Sequence, residues 1–207
     1  MGKAFFITGT DTDVGKTWVT VRLIEILRGR GINAVGIKPI ECGSYEDSHA
    51  LHAASAEAGI TLEEVNPVHL DEPVAPVAVS HPIDIRLQDL QEPLDRMREK
   101  SDVVLIEGAG GWLVPVNDSE TVADLAAQYA LPVIVVVANR LGCLNHTLLT
   151  TSSVRSAGLD CAGVFLNKFG PEDLSQNTNA KILTKWLDEI PLIDQDLEAL
   201  ADLVAAS

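Results

Sequence analysis

Short apolar runs alternate along the chain with longer stretches of helical period, and this alternation predicts a parallel sheet covered on both faces by helices. Strands are expected at Ala4 to Thr8, Asn33 to Lys38, Val103 to Glu107, Val133 to Ala138 and Ala162 to Asn167, all rich in Val, Ile, Leu or Phe. Helices are expected at Lys16 to Arg28, Asp47 to Ala58, Leu87 to Lys100, Thr121 to Tyr129, Asn145 to Ala157 and Asn177 to Glu189, several of them stopped by a glycine such as Gly29, Gly59 or Gly158. Each apolar run ends in polar residues, and in open α/β sheets ligands bind outside the carboxyl ends of the strands. The candidate chemistry therefore lies in segments 9–17, 38–43, 107–111, 139–145 and 167–168.

Composition narrows the class. With 207 residues, 46% of them hydrophobic and 22% charged, the chain is expected to bury a core as one domain over 1–207. A formal charge of −15 repels phosphate backbones and anionic lipid, so neither a nucleic-acid nor a membrane partner is expected. The longest apolar stretch, Leu131 to Ala138, falls far short of the ~20 residues that span a bilayer. Cys42, Cys143 and Cys161 lie far apart without a C-x-x-C pair, which argues against a disulfide framework or zinc site and for a reducing cytoplasm.

Within the strand-end segments, GTDTDVGKT at Gly9 to Thr17 follows a strand and opens a helix. Such a loop presents backbone N–H groups to phosphate, its lysine (Lys16) reaches the outer phosphates, and its hydroxyl (Thr17) suits Mg²⁺. The strict pattern has glycine at position 10, where this chain has Thr10, so Gly9 stands one residue early. The competing reading is an ordinary turn with a chance G-K-T. Val103 to Gly111 ends an apolar strand in Glu107 and a glycine run, a plausible metal carboxylate beside a phosphate loop. Lys38 ends the second strand and points toward the same crevice; two lysines there would stabilise charge that builds in phosphoryl transfer, and neither is expected to fill the core. Asn167-Lys168 resembles a guanine-reading motif, but Gly170 stands where its acid would be, leaving Asn167 as a candidate adenine reader. His49 and His52 read as a surface pair rather than a metal site, Trp18, Trp112 and Trp186 as packing residues, and the acids between Asp188 and Asp202 as a solvated face.

Taken together, GTDTDVGKT, K-P-I-x-x-G after the second strand, E-P-V-A-P at Glu72 to Pro76, E-G-A-G-G at Glu107 to Gly111 and L-G-C-L-N-H at Leu141 to His146 resemble dethiobiotin synthase over most of the chain. The resemblance implies a mostly parallel α/β fold of the P-loop nucleoside triphosphate hydrolase type, related to the MinD and ParA ATPases. It implies a homodimeric ligase that converts 7,8-diaminononanoate, CO2 and ATP with Mg²⁺ to dethiobiotin, ADP and phosphate in biotin synthesis. Carried over, Thr12, Asp13, Val14, Gly15, Lys16, Thr17 and Trp18 would surround the nucleotide, with Glu107, Gly108, Ala109 and Gly110 lining both ligands. Asn167, Pro191, Leu192 and Ile193 would contact adenine. Thr12, Lys38, Cys42 and Gly111 would meet the diamine, with Leu141 and Asn145 arriving from the second subunit. Lys38 and Lys16 would be catalytic, and Thr17, Glu107 and Asp47 would hold Mg²⁺. This sequence departs from the family pattern at Cys42, where a small hydroxyl residue is usual, and at His49, where an Asp usually follows Ser48; Asp47 is the nearest replacement. A MinD- or ParA-like nucleotide switch is the alternative reading, but the additional early lysine of that class is absent, Thr10 and Asp11 standing there instead.

Overall fold

A computed structural model describes residues 1–81, 83–168 and 171–206. Its centre is a six-stranded parallel sheet built from β1 (Lys3–Gly9), β2 (Ala34–Ile37), β5 (Val103–Glu107), β6 (Val133–Ala138), β7 (Cys161–Asn167) and β8 (Leu192–Asp194), in the order β2-β5-β1-β6-β7-β8. Helices α1 (Lys16–Gly29), α4 (Gln91–Lys100), α5 (Val122–Tyr129), α6 (Cys143–Ser156), α7 (Gln176–Trp186) and α8 (Leu197–Ala206) complete the layers, with α2 (Glu46–Ala54) and the single turn α3 (Leu62–Val65) outside β2. Every residue of β5 and β6 is buried, as expected of strands covered on both faces. On α1 the buried apolar positions Val19, Leu23, Ile24 and Leu27 follow the helical repeat and face the sheet.

Register decides where the polar strand ends meet. Ile7 pairs with Glu107, Gly9 with Val136 and Ala138 with Asn167, so the carboxyl ends of β5, β1, β6 and β7 finish side by side. From β1 the chain crosses to β2 on the β5 side, and after β5 it crosses back over β1 to β6 on the other side, the reversal that opens a crevice above the strand ends.

Several sequence expectations change. A second, two-stranded parallel sheet of β3 (Ile40–Cys42) and β4 (Val68–Leu70) was not expected, nor were β8 and α8. The acids from Asp188 to Asp202 do form an exposed face, as expected, with Glu198 and Asp202 paired to Arg30, while Leu200, Ala201 and Val204 of the unexpected α8 are buried. The expected helix 47–58 is α2 followed by a 3₁₀ turn at Ala56–Ala58, and the expected 87–100 helix begins as a 3₁₀ turn at Leu87–Leu90. Trp112 is in the core and donates to Ser153 Oγ at 3.1 Å, but Trp18 and Trp186 are 49% and 68% exposed and do not pack as the sequence reading had them. Both lysines expected outside the core are buried, Lys16 at 6% and Lys38 at 4% exposure. Gly170 lies outside the described residues.

Candidate active site at the carboxyl edge of the sheet

The loop from Gly9 to Gly15 joins β1 to α1 by using two left-handed residues, Asp13 (φ 56°) and Gly15 (φ 87°). Gly9 is required despite its early position, since a Cβ there would meet Val14 Cγ2 at 2.7 Å and the Asp11 carbonyl oxygen at 2.8 Å. Gly15 is the N-cap of α1 and has no side-chain cap, so the first N–H groups of the helix are left for a ligand. A Cβ at Gly15 would also fall on Asn167 Nδ2. That amide donates to the Val14 carbonyl at 3.0 Å, so Asn167 braces the loop from β7. On the other flank Gly111 lies against Asp11, and Gly110, at φ 64°, against Thr12 Oγ1.

Charge is concentrated beneath this loop. Lys16 Nζ donates to the Asp11 carbonyl at 3.2 Å. Lys38 Nζ donates to Glu107 Oε1 at 2.6 Å and also to Asp47 Oδ2, while Thr17 Oγ1 donates to the same Glu107 oxygen at 2.7 Å. Burial opposes the Lys38 ammonium, but Glu107 and Asp47 outweigh it and hold Lys38 above the usual lysine range. For Lys16 burial prevails: it pushes the pKa down, Glu107 opposing and the like charge of Lys38 assisting. Asp47 is destabilised as an anion by burial, yet Lys38 and then Thr17 keep it below the ordinary carboxyl range. Burial raises the Cys42 thiol.

Two clefts meet here. One, about 400 Å³, is bounded by the loop residues Thr12, Asp13, Gly15, Lys16 and Thr17 with Lys38, Asp47, Glu107 and Gly110. The other, about 530 Å³, runs from Lys38 past Glu41 and Cys42 to Val74, Pro76, Ala109 and Val114. Thr12, Asp13, Lys38, Asp47 and Gly110 border both. A third cavity, about 360 Å³ between α6 and α7, is walled by Leu148, Trp186 and Ile190 and contains none of these residues.

Of the residues singled out from sequence, those just named come together. Gly108 and Val14 are buried behind the clefts, Gly108 against Phe6 and Val122. Trp18 lines neither cleft. Pro191, Leu192 and Ile193 sit at the sheet edge, where Leu192 pairs with Val164 and Asp194 with Leu166, so Asp194 and Gln195 are nearest in register to Asn167. Leu141 is 82% exposed, Asn145 is exposed, and neither borders the clefts of its own chain. His49 meets the edge of the Tyr45 ring rather than the charged cluster. Sequence reasoning missed three residues: Arg140, paired with Asp11 at 3.2 Å; Asn66, which donates to the Lys38 carbonyl at 2.7 Å; and the buried carboxylate of Glu41. The one available signal was an acid isolated between apolar neighbours in K-P-I-E-C-G.

Among the described residues no three His, Cys, Asp or Glu side chains gather as a closed metal cage. Glu107 Oε2 is nevertheless buried without a hydrogen-bond partner. With Thr17 Oγ1 and Asp47 beside it, this oxygen set fits a hard cation that keeps water or phosphate as its remaining ligands.

A family model described as an AAA domain matches residues 3–198. Among solved structures, the septum site-determining protein MinD of Pyrococcus horikoshii, complexed with Mg-ADP, is 19% identical at a TM-score of 0.54, covering 99% of this chain and 86% of its own. The hydrogenase maturation factor HypB of Archaeoglobus fulgidus is 15% identical at a TM-score of 0.57, covering 99% of this chain and 89% of its own. At that distance they establish the α/β fold alone. ATP-dependent dethiobiotin synthetase BioD of Vibrio parahaemolyticus is 39% identical over 92% of this chain and 90% of its own. The protein of the same name from Nitrosospira multiformis is 40% identical over 98% of this chain and 96% of its own. Identity at that level over nearly the whole chain makes this chain a member of the ATP-dependent dethiobiotin synthetase family.

Proposed function

We propose that the chain, acting as one domain over 1–207, is a cytoplasmic homodimeric synthetase that uses ATP and Mg²⁺ to close 7,8-diaminononanoate and CO2 into the cyclic urea of dethiobiotin. The observation that carries this reading is Lys38, a buried cation on the seam between the phosphate-loop cleft and the second cleft, close enough to serve ligands in both. Thr12 to Thr17 would wrap the phosphates through backbone N–H groups, with Lys16 on the outer phosphates. Thr17, Asp47 and the free Glu107 oxygen would hold Mg²⁺, which when bound neutralises phosphate charge.

The diamine would lie in the second cleft along Cys42 and the wall from Pro73 to Pro76, with Gly111 next to the cleft residue Gly110 rather than in its lining, and its carboxylate would be reached by Leu141 and Asn145 of the other subunit. One substrate amine attacks CO2, forming an N–C bond and releasing a proton, and leaves a carbamate. A carbamate oxygen attacks the γ-phosphorus as the bond to ADP breaks. The second amine attacks the carbamoyl carbon, the C–O bond to phosphate breaks, and phosphate and a proton leave. Negative charge passes from carbamate to the transferring phosphoryl group throughout, and a preorganised ammonium at Lys38 would stabilise both; loss of one such contact typically costs ~2.7–4 kcal/mol of barrier. Asn167 supports the nucleotide by holding the loop at Val14, with its remaining amide oxygen available to adenine.

The test is ADP release with 7,8-diaminononanoate and bicarbonate supplied together, singly and not at all. Turnover is expected only with both. Equal ATP hydrolysis without them would instead support a MinD-like switch.

A further inference from the structure

We infer that Glu41 is a positioning residue for the phosphoryl-transfer site: a buried carboxylate on β3 that caps α2 from outside the helix and thereby sets Asp47 against Lys38. The inference rests on the role given to Asp47 under the proposed function.

Glu41 is 3% exposed and, among the described residues, has no cationic partner within ion-pair distance. Its oxygens face α2 instead. Oε1 accepts from the Asp47 N–H at 3.0 Å and, at 3.4 Å, from that of Ser48, while Oε2 accepts from Ser48 N–H at 3.2 Å. These are the second and third N–H groups of the helix, the ones an N-cap side chain normally satisfies. Position 45, the N-cap itself, is Tyr45 and supplies no side-chain cap. A single Asn or Ser there would do the same work without burying a charge. Placing the acceptor on β3 instead ties the first turn of α2 to the strand that follows Lys38, so the helix start and the lysine are held in one frame. Asp47, whose own N–H is one of the anchored groups, then presents its carboxylate to Lys38. Both Glu41 oxygens are engaged by the helix, which separates this role from direct contact with a ligand in the second cleft.

The experiment is a double-mutant cycle on kcat, with the KM of the diamine followed alongside. Misplacing a catalytic group by about 1 Å can cost about 100-fold, so Glu41→Ala is expected to lower kcat by roughly 10- to 100-fold with the diamine KM nearly unchanged. In an Asp47→Asn background the same change is expected to cost less than about twofold, because residues acting as a unit are not additive. Tyr45→Asn added to Glu41→Ala restores an acceptor at the N-cap but not the tie to β3, and is expected to recover stability while leaving most of the kcat loss in place; full recovery of kcat would overturn the inference. If Glu41→Ala alone does not fold, the Glu41→Ala/Tyr45→Asn pair carries the cycle. The inference is overturned if Glu41→Ala leaves kcat unchanged, if its loss is the same with and without Asp47→Asn, or if the damage falls on the diamine KM. Full activity of Asp47→Asn by itself would overturn the role of Asp47 as well, and that single variant separates the two failures.

Discussion

Replacing Lys38 by methionine keeps most of the side chain's apolar stem and removes only its ammonium. Glu107, fully buried, then loses its cation and keeps a hydroxyl bond from Thr17, while Asp47, with 40% of its side chain exposed, can turn to water. The penalty therefore falls on Glu107. Breaking a buried pair by removing one partner costs about 3–5 kcal/mol, and the nearby Lys16 ammonium offsets part of it, so about 3 kcal/mol is expected. For a chain of this size each kcal/mol moves Tm by about 2–4 °C, which gives a fall of about 6–12 °C. Calorimetric melting in the presence of EDTA reads this without interference from added cation. Lys38→Met/Glu107→Gln removes the stranded charge and is expected to regain at least half of the loss while remaining inactive. A melt of Lys38→Met within about 2 °C of wild type would refute the reasoning, because it would mean that Glu107 is not left as an uncompensated buried anion.

Three further outcomes follow from the site. Lys16→Ala is expected to lower turnover by about 10²–10³, read in steady-state assays, with ATP binding weakened as well. Asp47→Asn is expected to raise the Mg²⁺ concentration needed for half-maximal rate while His49→Ala leaves it unchanged, since a hard cation favours carboxylate over neutral imidazole; an unchanged titration for Asp47→Asn would limit the protein ligands to Thr17 and Glu107. Iodoacetamide at pH 8 is expected to label half-buried Cys42 before Cys161, whose thiol burial pushes up to about 11, and mass spectrometry showing equal rates would contradict this.

The sheet was readable because β1, β2, β5, β6 and β7 are buried on both faces and leave unbroken apolar runs. The strands β3, β4 and β8 have three residues each, too few for any period to register, and in β8 only Ile193 is buried. The turn α3 did carry a local signal, the Thr61–Glu64 capping box, which its brevity concealed. α6 begins at Cys143 rather than Asn145 because Gly142 takes the left-handed N-cap conformation that no apolar pattern announces. Within the site, the loop, Lys38 and Glu107 were legible because their spacing encodes backbone function. That Lys38 and Lys16 are buried was not legible, since burial of a lysine depends on carboxylates brought from Asp47 and Glu107 by the fold. Glu41 stayed hidden for the same reason: its partners are backbone N–H groups of another element, which carry no sequence signature.

The fit of Asn167 against the Gly15 loop also bears on how this protein can change over generations. The amide of Asn167 occupies the space that a side chain at Gly15 would need, and Gly15 adopts a conformation that side-chain-bearing residues avoid. Shrinking Asn167 would free the space but leave the Val14 carbonyl without its donor and the left-handed backbone unchanged. No single step, and no swap of these two positions alone, leads from this arrangement to another workable one. Two sites 152 residues apart in the chain are thus expected to be frozen together in any mutational library selected for turnover.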